Sequence, residues 1–452
     1  MRAYSEVSQK APADRKAGAF KSLSAYNVII ICLDTLRADH LGCYGYSRNT
    51  SPNIDRLASI GVLFEWTFAQ SNFTLPSHAS LFTSKYVHSH KADRIERSLT
   101  EHEVTIAEVL REGGYHTAAF IYNAAQFNAK YGLNQGFDTY FFGEEDDRRP
   151  SFEKTLPAAL EWIGAHRNNK FFVFLHSNDI HEPYHSPYEN YFDPDYHGRL
   201  DDEYLASGNP SFHESNLTRP PREIAHIVAH YDGGIKYADE FVGKFVQQLK
   251  EWALLDRTII VLLSDHGEIL ADRGMRFCHG FSLHDEEVRV PLIIAHPGIN
   301  KKGVRIGTQV QLIDVMPTIF DFLGITESKA KMEGKNLVDI IAGKNKVGFN
   351  QYVYADCISG ESDKEGVINY QVMVRTSSWK LISSIWKMRK DLEKSLPKII
   401  RMHNYAIIPL PQRDAFELFK MRKDRNETKN LLDKGYRKIE EELIDQLLLF
   451  SP

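Results

Sequence analysis

The sequence predicts an α/β fold with a mostly parallel central sheet flanked by helices, followed by a smaller C-terminal α+β subdomain. Strand-like runs of β-branched residues alternate with amphipathic helical stretches through most of the 452-residue chain. The runs are continuously apolar, as expected for strands buried on both faces of a parallel sheet. Near residue 345 the pattern changes to short segments typical of antiparallel strands.

The predicted elements follow in order. We expect strands over 27–33, 62–69, 115–121, 171–176, 257–263 and 290–295, and helices from Pro52 and over 105–112, 152–166, 222–251 and 314–323. Ser51 and Ser151 are expected to cap two of these helices, with Pro52 at a first helical position. The irregular stretch 185–220 is expected to be an active-site insertion or lid.

The C-terminal part is predicted to contain antiparallel strands over 353–356, 370–376 and 379–384, and a closing helix over 439–450. We therefore divide the chain into an N-terminal arm (1–24), a main domain (25–345) and a C-terminal subdomain (346–452).

Composition argues against several classes of function. Apolar residues make up 42% and charged residues 25% of the chain, as in ordinary globular proteins. A formal net charge of −5 gives no electrostatic basis for binding nucleic acid. Four sparse cysteines without a CxxC pair favour reduced thiols. Residues 1–26 have no apolar signal segment and no run is long enough to span a bilayer, so we expect a cytoplasmic protein without a membrane segment.

The stretch TLPSHASLFT, residues 74–83, places a hydroxyl beside a predicted helix start. Pro76 suits a first helical turn, and Ser77 can cap it. The unpaired N–H groups and the dipole at a helix N-terminus favour an anion there. Thr74 is therefore interpreted as a nucleophile bound to a metal ion.

Acidic residues follow two of the predicted strands. Asp34 comes directly after 27–33, and Asp265 with His266 comes after 257–263. Ligands of open α/β sheets gather outside the carboxyl ends of strands, so these side chains should lie together. With the Thr74 hydroxyl they would form a shell for a divalent metal, which would also ease loss of the Thr74 proton. The structural alternative is that these acidic residues only cap turns.

With these motifs in place, the sequence resembles the sulfatase family of the alkaline-phosphatase superfamily over nearly its whole length. The matching motifs are DTLRADHLGCYG at 34–45, SPNIDRLA at 51–58, LPSHASLFT at 75–83, TIAEVL at 105–110, SDHGE at 264–268, RVPLII at 289–294, FELF at 416–419 and NETKNL at 426–431. The resemblance implies a sulfatase-like catalytic domain over 25–345. It also implies a metal ion held by Asp34, Asp265 and His266, with Thr74 at the nucleophile position.

The chain departs from the sulfatase pattern at the positions that handle the anion. Sulfatases carry Cys or Ser, matured to formylglycine, where this chain has Thr74, and Arg where it has His78. Their usual Asp pair is Asp34-Thr35 here, and their Gly-Lys-Trp-His stretch is replaced by residues 121–124. These differences favour attack by a Thr74 alkoxide on phosphorus, through a phospho-threonine intermediate, over formylglycine chemistry.

The remaining candidates are assigned by resemblance. His181 resembles a substrate-contacting histidine and His279 falls near an active-site lysine, so both are expected to be catalytic. His78 and Asn123 are expected to bind substrate, with Asn123 in place of the missing lysine. Asp179 could reach a metal, but its spacing to His181 does not match the motif of two-metal relatives. We therefore expect one divalent ion: the family implies Ca²⁺, and this ligand set favours Mn²⁺ or Zn²⁺.

The sequence thus predicts a metal-dependent hydrolase that cleaves phosphate or sulfate esters of a small molecule or glycan by Thr74 attack. One alternative is a phospho-group transferase like the phosphoethanolamine transferases, although the chain lacks the membrane segments typical of those relatives. The other is a non-catalytic binding protein on a degenerate sulfatase fold, suggested by the loss of the usual Arg and Lys.

Overall fold

The computed structural model describes residues 26–93, 97–122, 124–143, 151–197, 220–274, 277–299, 301–344, 348–362, 367–389, 400–402, 405–407 and 416–450. The predicted arm 1–24, Asn123 and most of the predicted insertion 185–220 lie outside these residues. In the described part of the chain, no helix is long and apolar enough to cross a membrane.

A nine-stranded sheet forms the centre of the main domain. The first eleven strands are β1 (Asn27–Leu33), β2 (Val62–Phe68), β3 (His116–Tyr122), β4 (Thr139–Gly143), β5 (Phe171–Ser177), β6 (Thr258–Leu263), β7 (Ile269–Leu270), β8 (Phe277–Cys278), β9 (Arg289–Ala295), β10 (Val304–Ile306) and β11 (Val310–Gln311). The sheet order is β10-β2-β9-β6-β1-β5-β3-β4, with β11 beside β2, while β7 and β8 pair separately.

The predicted, mostly parallel sheet is confirmed. Central β1 runs parallel to both of its neighbours, β5 and β6, and β9 runs antiparallel to β2 and β6. All seven residues of β1 are buried. Alternate side chains of this strand enter two different hydrophobic cores, one on each face of the sheet. This burial on both faces is the physical reason for its continuous apolar sequence.

Helices cover both faces of the sheet. They span Pro52–Ile60, Thr74–Thr83, Val87–His90, Ile106–Glu112, Phe152–His166, Pro221–Glu251, Asp285–Val288, Val315–Phe322 and Val338–Ile341. Helices Thr74–Thr83 and Ile106–Glu112 pack on one face, and Phe152–His166 and Pro221–Glu251 pack on the other. A central parallel sheet between two helical layers is the α/β architecture that the sequence predicts.

Three predicted serine caps are wrong, and at two of these helix starts a carboxylate takes the place of the serine. The side chains of Ser51 and Ser151 make no capping bond. The Asp239 carboxylate accepts from the N–H groups of Asn53 and Ile54 at one helix start, at 2.9 and 2.8 Å. The helix that was expected to begin near Pro76 begins at Thr74, which places Ser77 inside its first turn.

The C-terminal part contains a six-stranded antiparallel sheet. Its strands are β12 (Val353–Ser362), β13 (Val367–Arg375), β14 (Lys380–Arg389), β15 (Ile400–Met402), β16 (Tyr405–Ile407) and β17 (Phe416–Phe419). Helix Arg437–Phe450 packs on this sheet through Leu443 and Leu447. Buried Lys380 lies 2.8 Å from carboxylate oxygens of both Asp285 and Glu427, so an ion network joins the two parts. The division at residue 345 stays a prediction.

Candidate active site

Four predicted site residues converge at the carboxyl ends of β1 and β6. Asp34 directly follows β1, Asp265 and His266 follow β6, and Thr74 is the first residue of its helix. Nε2 of His266 lies 3.4 Å from Thr74 Oγ1, 3.4 Å from Asp265 Oδ2 and 3.7 Å from Asp34 Oδ1. All four side chains are at most 3% exposed. Two strand ends and one helix start therefore form a single buried polar cluster.

The histidine of this cluster directs Nε2 at the two carboxylates. His266 Nδ1 lies 2.9 Å from the carbonyl oxygen of Gly267. A carbonyl can only accept, so Nδ1 carries a proton. Burial lowers the pKa of His266, but the charges of Asp265 and Asp34 outweigh it and raise the pKa, so without an ion Nε2 favours a proton as well. A metal ion would take the place of that Nε2 proton, with Nδ1 still bonded to the carbonyl, as metal-binding histidines do.

The carboxylates also fit a cation. Within the described part of the chain, Asp34 Oδ1 and Asp265 Oδ2 are buried without a hydrogen-bond partner. Buried oxygens without a donor are rare, because their lost hydration is not replaced. One ligand atom from each of Asp34, Asp265 and His266 lies within 4.8 Å of the others. The residues thus fit a divalent ion, which would satisfy both orphaned oxygens at once.

The pKa values of the two carboxyls, Asp34 and Asp265, are shifted in opposite directions. Burial favours the neutral form of both. At Asp34 the imidazoles of His176, His181 and His266 outweigh burial and hold the pKa well below its usual range. At Asp265 burial, followed by the negative charge of Asp34, raises the pKa to about 6. Without a cation, the second carboxylate is therefore destabilised by the first.

Backbone contacts of serines hold the cluster in place. Ser77 Oγ donates to the carbonyl of Asp265 at 2.6 Å. Ser264 Oγ donates to the carbonyl of His266 at 2.7 Å and accepts from the N–H of Leu36 at 3.0 Å. The loops after β1 and β6 and the helix that begins at Thr74 are thereby fixed to one another.

Thr35, where the sulfatase resemblance leads us to expect a second Asp, makes its contacts with backbone and tyrosine groups. Its hydroxyl donates to the carbonyl of Asp34 at 2.7 Å, and its own carbonyl accepts from the Tyr231 hydroxyl at 2.7 Å. Its φ of 59° is unusual for a β-branched residue. The side chain thus shapes the turn that presents Asp34.

His181 and His279 line the same site. The His279 ring lies 4.7 Å from the rings of both His266 and His181, measured between centroids. His279 Nδ1 is 2.9 Å from Glu268 Oε2, and the Tyr184 hydroxyl donates to Glu268 Oε1 at 2.7 Å. Burial and the charge of Glu182 raise the pKa of Glu268 well above its usual value. This carboxyl and the His279 imidazole therefore form a buried pair able to share a proton.

His78 lies beneath the site. Its ring is 0% exposed, with Nδ1 2.8 Å from the Thr74 carbonyl and Nε2 3.4 Å from Cys32 Sγ. Burial, then the neighbouring His176, lowers the pKa of His78 to about 3, so the ring is neutral at ordinary pH. The position at which the sulfatase resemblance leads us to expect a guanidinium is therefore uncharged. Substrate binding by His78 stays a prediction, as does that by Asn123, which lies outside the described residues.

Sequence analysis missed His176 and left Asp179 open. His176 Nε2 lies 3.5 Å from Asp34 Oδ2, at the end of β5. Its position at the carboxyl end of a strand is a signal that could have found it.

Asp179 instead accepts from the N–H groups of Ser151 and Phe152 and from Ser177 Oγ, so it caps helix Phe152–His166.

Comparisons with known proteins identify relatives of this chain. The family model described as Sulfatase matches residues 26–325, and the one described as N-sulphoglucosamine sulphohydrolase, C-terminal, matches residues 276–394. An arylsulfatase of Clostridium perfringens is 24% identical over 444 residues, covering 84% of this chain and 91% of that protein. An N-acetylglucosamine-6-O-sulfatase of Bacteroides thetaiotaomicron is 23% identical over 511 residues, covering 93% and 85%.

A solved structure has the same fold. The phosphonate monoester hydrolase of Agrobacterium radiobacter matches with a TM-score of 0.72 and 19% identity, over 94% of this chain and 95% of that chain. The likeness covers the central sheet with its flanking helices and the C-terminal antiparallel sheet.

Proposed function

The chain belongs to the sulfatase family, and on this premise we propose that it is a metal-dependent hydrolase of sulfate or phosphate esters with Thr74 as nucleophile. The observation that carries the proposal is that Thr74 Oγ1 approaches His266 Nε2, the atom that Asp34 and Asp265 also face. A hydroxyl in a shell of metal-ligand atoms is the arrangement expected for an activated nucleophile.

Asp34, Asp265 and His266 would hold the divalent ion, with the Thr74 hydroxyl as a further ligand. When bound, such an ion neutralises charge on the substrate and favours loss of the hydroxyl proton. The imidazole in the shell favours Mn²⁺ or Zn²⁺, whereas the family favours Ca²⁺.

Thr74, His279 and His181 would each have a role in the reaction. Thr74 Oγ1 loses its proton to solvent water, attacks sulfur or phosphorus and forms a covalent ester, while the bond to the leaving oxygen breaks. His279 supplies the proton that this oxygen needs, and its other nitrogen remains against Glu268. In the second half, His279 takes a proton from the attacking water, the bond from sulfur or phosphorus to Thr74 Oγ1 breaks, and the released oxygen regains a proton from solvent. His181 lies beside this proton carrier and would contact the substrate.

The substrate class follows from the relatives and from the nucleophile. One relative is named for a 6-O-sulfated amino sugar and a structural neighbour for phosphonate monoesters. Both groups are tetrahedral oxyanions. We infer that the substrate is a small molecule or a glycan carrying a sulfate or phosphate monoester, and that a threonine nucleophile without a charged residue at position 78 favours phosphorus.

Comparing Thr74→Ala with the wild type on a panel of esters tests this function. The panel contains aryl sulfate, phosphate mono- and diesters, a phosphonate monoester and a 6-O-sulfated amino sugar. We expect kcat/KM for the best substrate to fall by about 10³-fold or more. Thr83→Ala is the matched control, because Thr83 lies in the same helix and donates only to the Ala79 carbonyl. Full activity of Thr74→Ala would contradict the proposal, and turnover that needs an acceptor alcohol would favour the transferase.

A further inference from the structure

A second cluster of metal-ligand atoms lies beneath the candidate active site. One atom from each of Cys32, His78 and His176 lies within 4.8 Å of the other two, and all three side chains are 0% exposed. Cys32 and His176 are register partners on the neighbouring parallel strands β1 and β5. His78 approaches them from helix Thr74–Thr83. Three rigid elements therefore position the cluster.

The geometry of the Cys32–His78 pair suits a shared ion. Cys32 Sγ lies 3.4 Å from His78 Nε2. Tetrahedral Zn²⁺ with a sulfur at about 2.3 Å and a nitrogen at about 2.0 Å places these atoms about 3.5 Å apart. His78 Nδ1 faces the Thr74 carbonyl at 2.8 Å and so carries the proton, which leaves the Nε2 lone pair directed at Cys32.

His176 provides the second, independent observation. Within the described part of the chain, both of its ring nitrogens are buried without a hydrogen-bond partner. Its ring packs against His78 at 5.3 Å and Phe127 at 4.7 Å between centroids, so it is held in place. A thiol hydrogen bond from Cys32 to His78 would explain that pair alone. It leaves His176 Nδ1 without a hydrogen-bond partner and Nε2 with only the Asp34 carboxylate at 3.5 Å, whereas an ion would use a nitrogen lone pair.

We propose that Cys32, His78 and His176 form a second metal site, for Zn²⁺, adjacent to the hydrolytic centre. A thiolate and two imidazoles select zinc over Ca²⁺ or Mg²⁺, which prefer oxygen ligands. Asp34 lies between the two sites: Oδ1 faces His266, and Oδ2 lies 3.5 Å from His176 Nε2, where it would complete a tetrahedral shell. The site does not require Thr74 to be the nucleophile.

Cobalt titration of the full-length protein tests this site. Co²⁺ replaces Zn²⁺ in such sites, and a thiolate ligand adds a charge-transfer absorption in the near ultraviolet. After chelator treatment we expect the wild type to bind two equivalents of Co²⁺, with that absorption. Cys32→Ser should lose the absorption and one equivalent, and Cys357→Ser, a buried thiol of the C-terminal sheet, should keep both.

Two further variants keep the test decisive. His176→Gln should lose one equivalent while its circular dichroism remains that of the wild type. Asp265→Asn should lose the other equivalent and keep the thiolate absorption, so failure of the hydrolytic site is distinguishable from failure of this one. A wild type that binds a single equivalent without thiolate absorption would overturn the proposal. A spectrum unchanged by Cys32→Ser would do so as well.

Discussion

The Ser77 hydroxyl donates to the main-chain carbonyl of Asp265 at 2.6 Å and so joins the helix of the proposed nucleophile to the loop of two proposed ligands. Both groups are buried. The bond fixes where Thr74 lies relative to Asp265 and His266. Ser77 itself is neither the proposed nucleophile nor a proposed metal ligand.

Ser77→Ala should therefore weaken the site without removing any ligand. We expect the affinity for the divalent ion to fall by about 10- to 100-fold, as for other residues that orient ligands. Calorimetric titration of the chelator-treated protein measures this. Ser80→Ala is the control, because Ser80 lies in the same helix but bonds to His90. An unchanged ion affinity in Ser77→Ala would show that the contact does not position the site.

Asp265→Asn should change thermal stability in opposite directions with and without the ion. In ion-free protein burial, followed by the charge of Asp34, raises the pKa of Asp265 to about 6, so above that pH the ionised carboxylate destabilises the fold. The neutral amide should raise the ion-free Tm at pH 8. It should also abolish the rise in Tm that a divalent ion gives the wild type.

Asp239→Asn is the control for this change. Asp239 is an equally buried acid that serves as a helix cap, so the ion should still raise the Tm of its variant. An ion-induced rise in Asp265→Asn equal to that of the wild type would exclude Asp265 as a ligand.

Asp179→Ala should reduce stability without affecting the metal content. Its carboxylate caps helix Phe152–His166, and loss of such a cap costs about 0.5–2 kcal/mol. Urea unfolding should show this loss, whereas the exposed Asp256→Ala should change stability by less than about 0.5 kcal/mol. Elemental analysis should find the same ion equivalents as in the wild type. Fewer equivalents in Asp179→Ala would make it a ligand after all.

His90 should make the fold sensitive to acid. Burial, then the charge of Lys85, lowers the pKa of His90 to about 3 from an ordinary value of 6.5. Its Nδ1 accepts from the N–H of Ala92 at 3.0 Å, a bond that protonation would break. Because the folded pKa is the lower one, this stabilisation is complete above pH 6.5 and is lost as pH falls towards 3.

His90→Gln should therefore flatten the dependence of unfolding free energy on pH. One proton corresponds to about 1.4 kcal/mol per pH unit, so the wild type should lose about 2 kcal/mol more than this variant between pH 6.5 and 5. Urea unfolding at both pH values measures the difference. His116→Gln, which alters an exposed ring, should retain the wild-type slope. Parallel curves for wild type and His90→Gln would contradict the assignment.

The sequence was sufficient to predict the sheet and the cluster of Asp34, Thr74, Asp265 and His266, because strand ends and a helix start have local signatures. It could not reveal the second cluster. Cys32 belongs to an apolar strand and is indistinguishable there from a core residue. Its neighbours come from 46 and 144 positions further along the chain, and only the register of β1 with β5 brings them together. The caps predicted at Ser51 and Ser151 failed for the same reason, since carboxylates further along the chain replaced them.

Trapping the covalent intermediate tests the central claim most directly. Protein mixed with its best substrate is quenched in acid within one turnover, digested and analysed by mass spectrometry. We expect one sulfuryl or phosphoryl group on the peptide that contains Thr74, and none in Thr74→Ala. A group attached to another residue, or wild-type turnover by Thr74→Ala without any adduct, would contradict direct attack by the Thr74 hydroxyl.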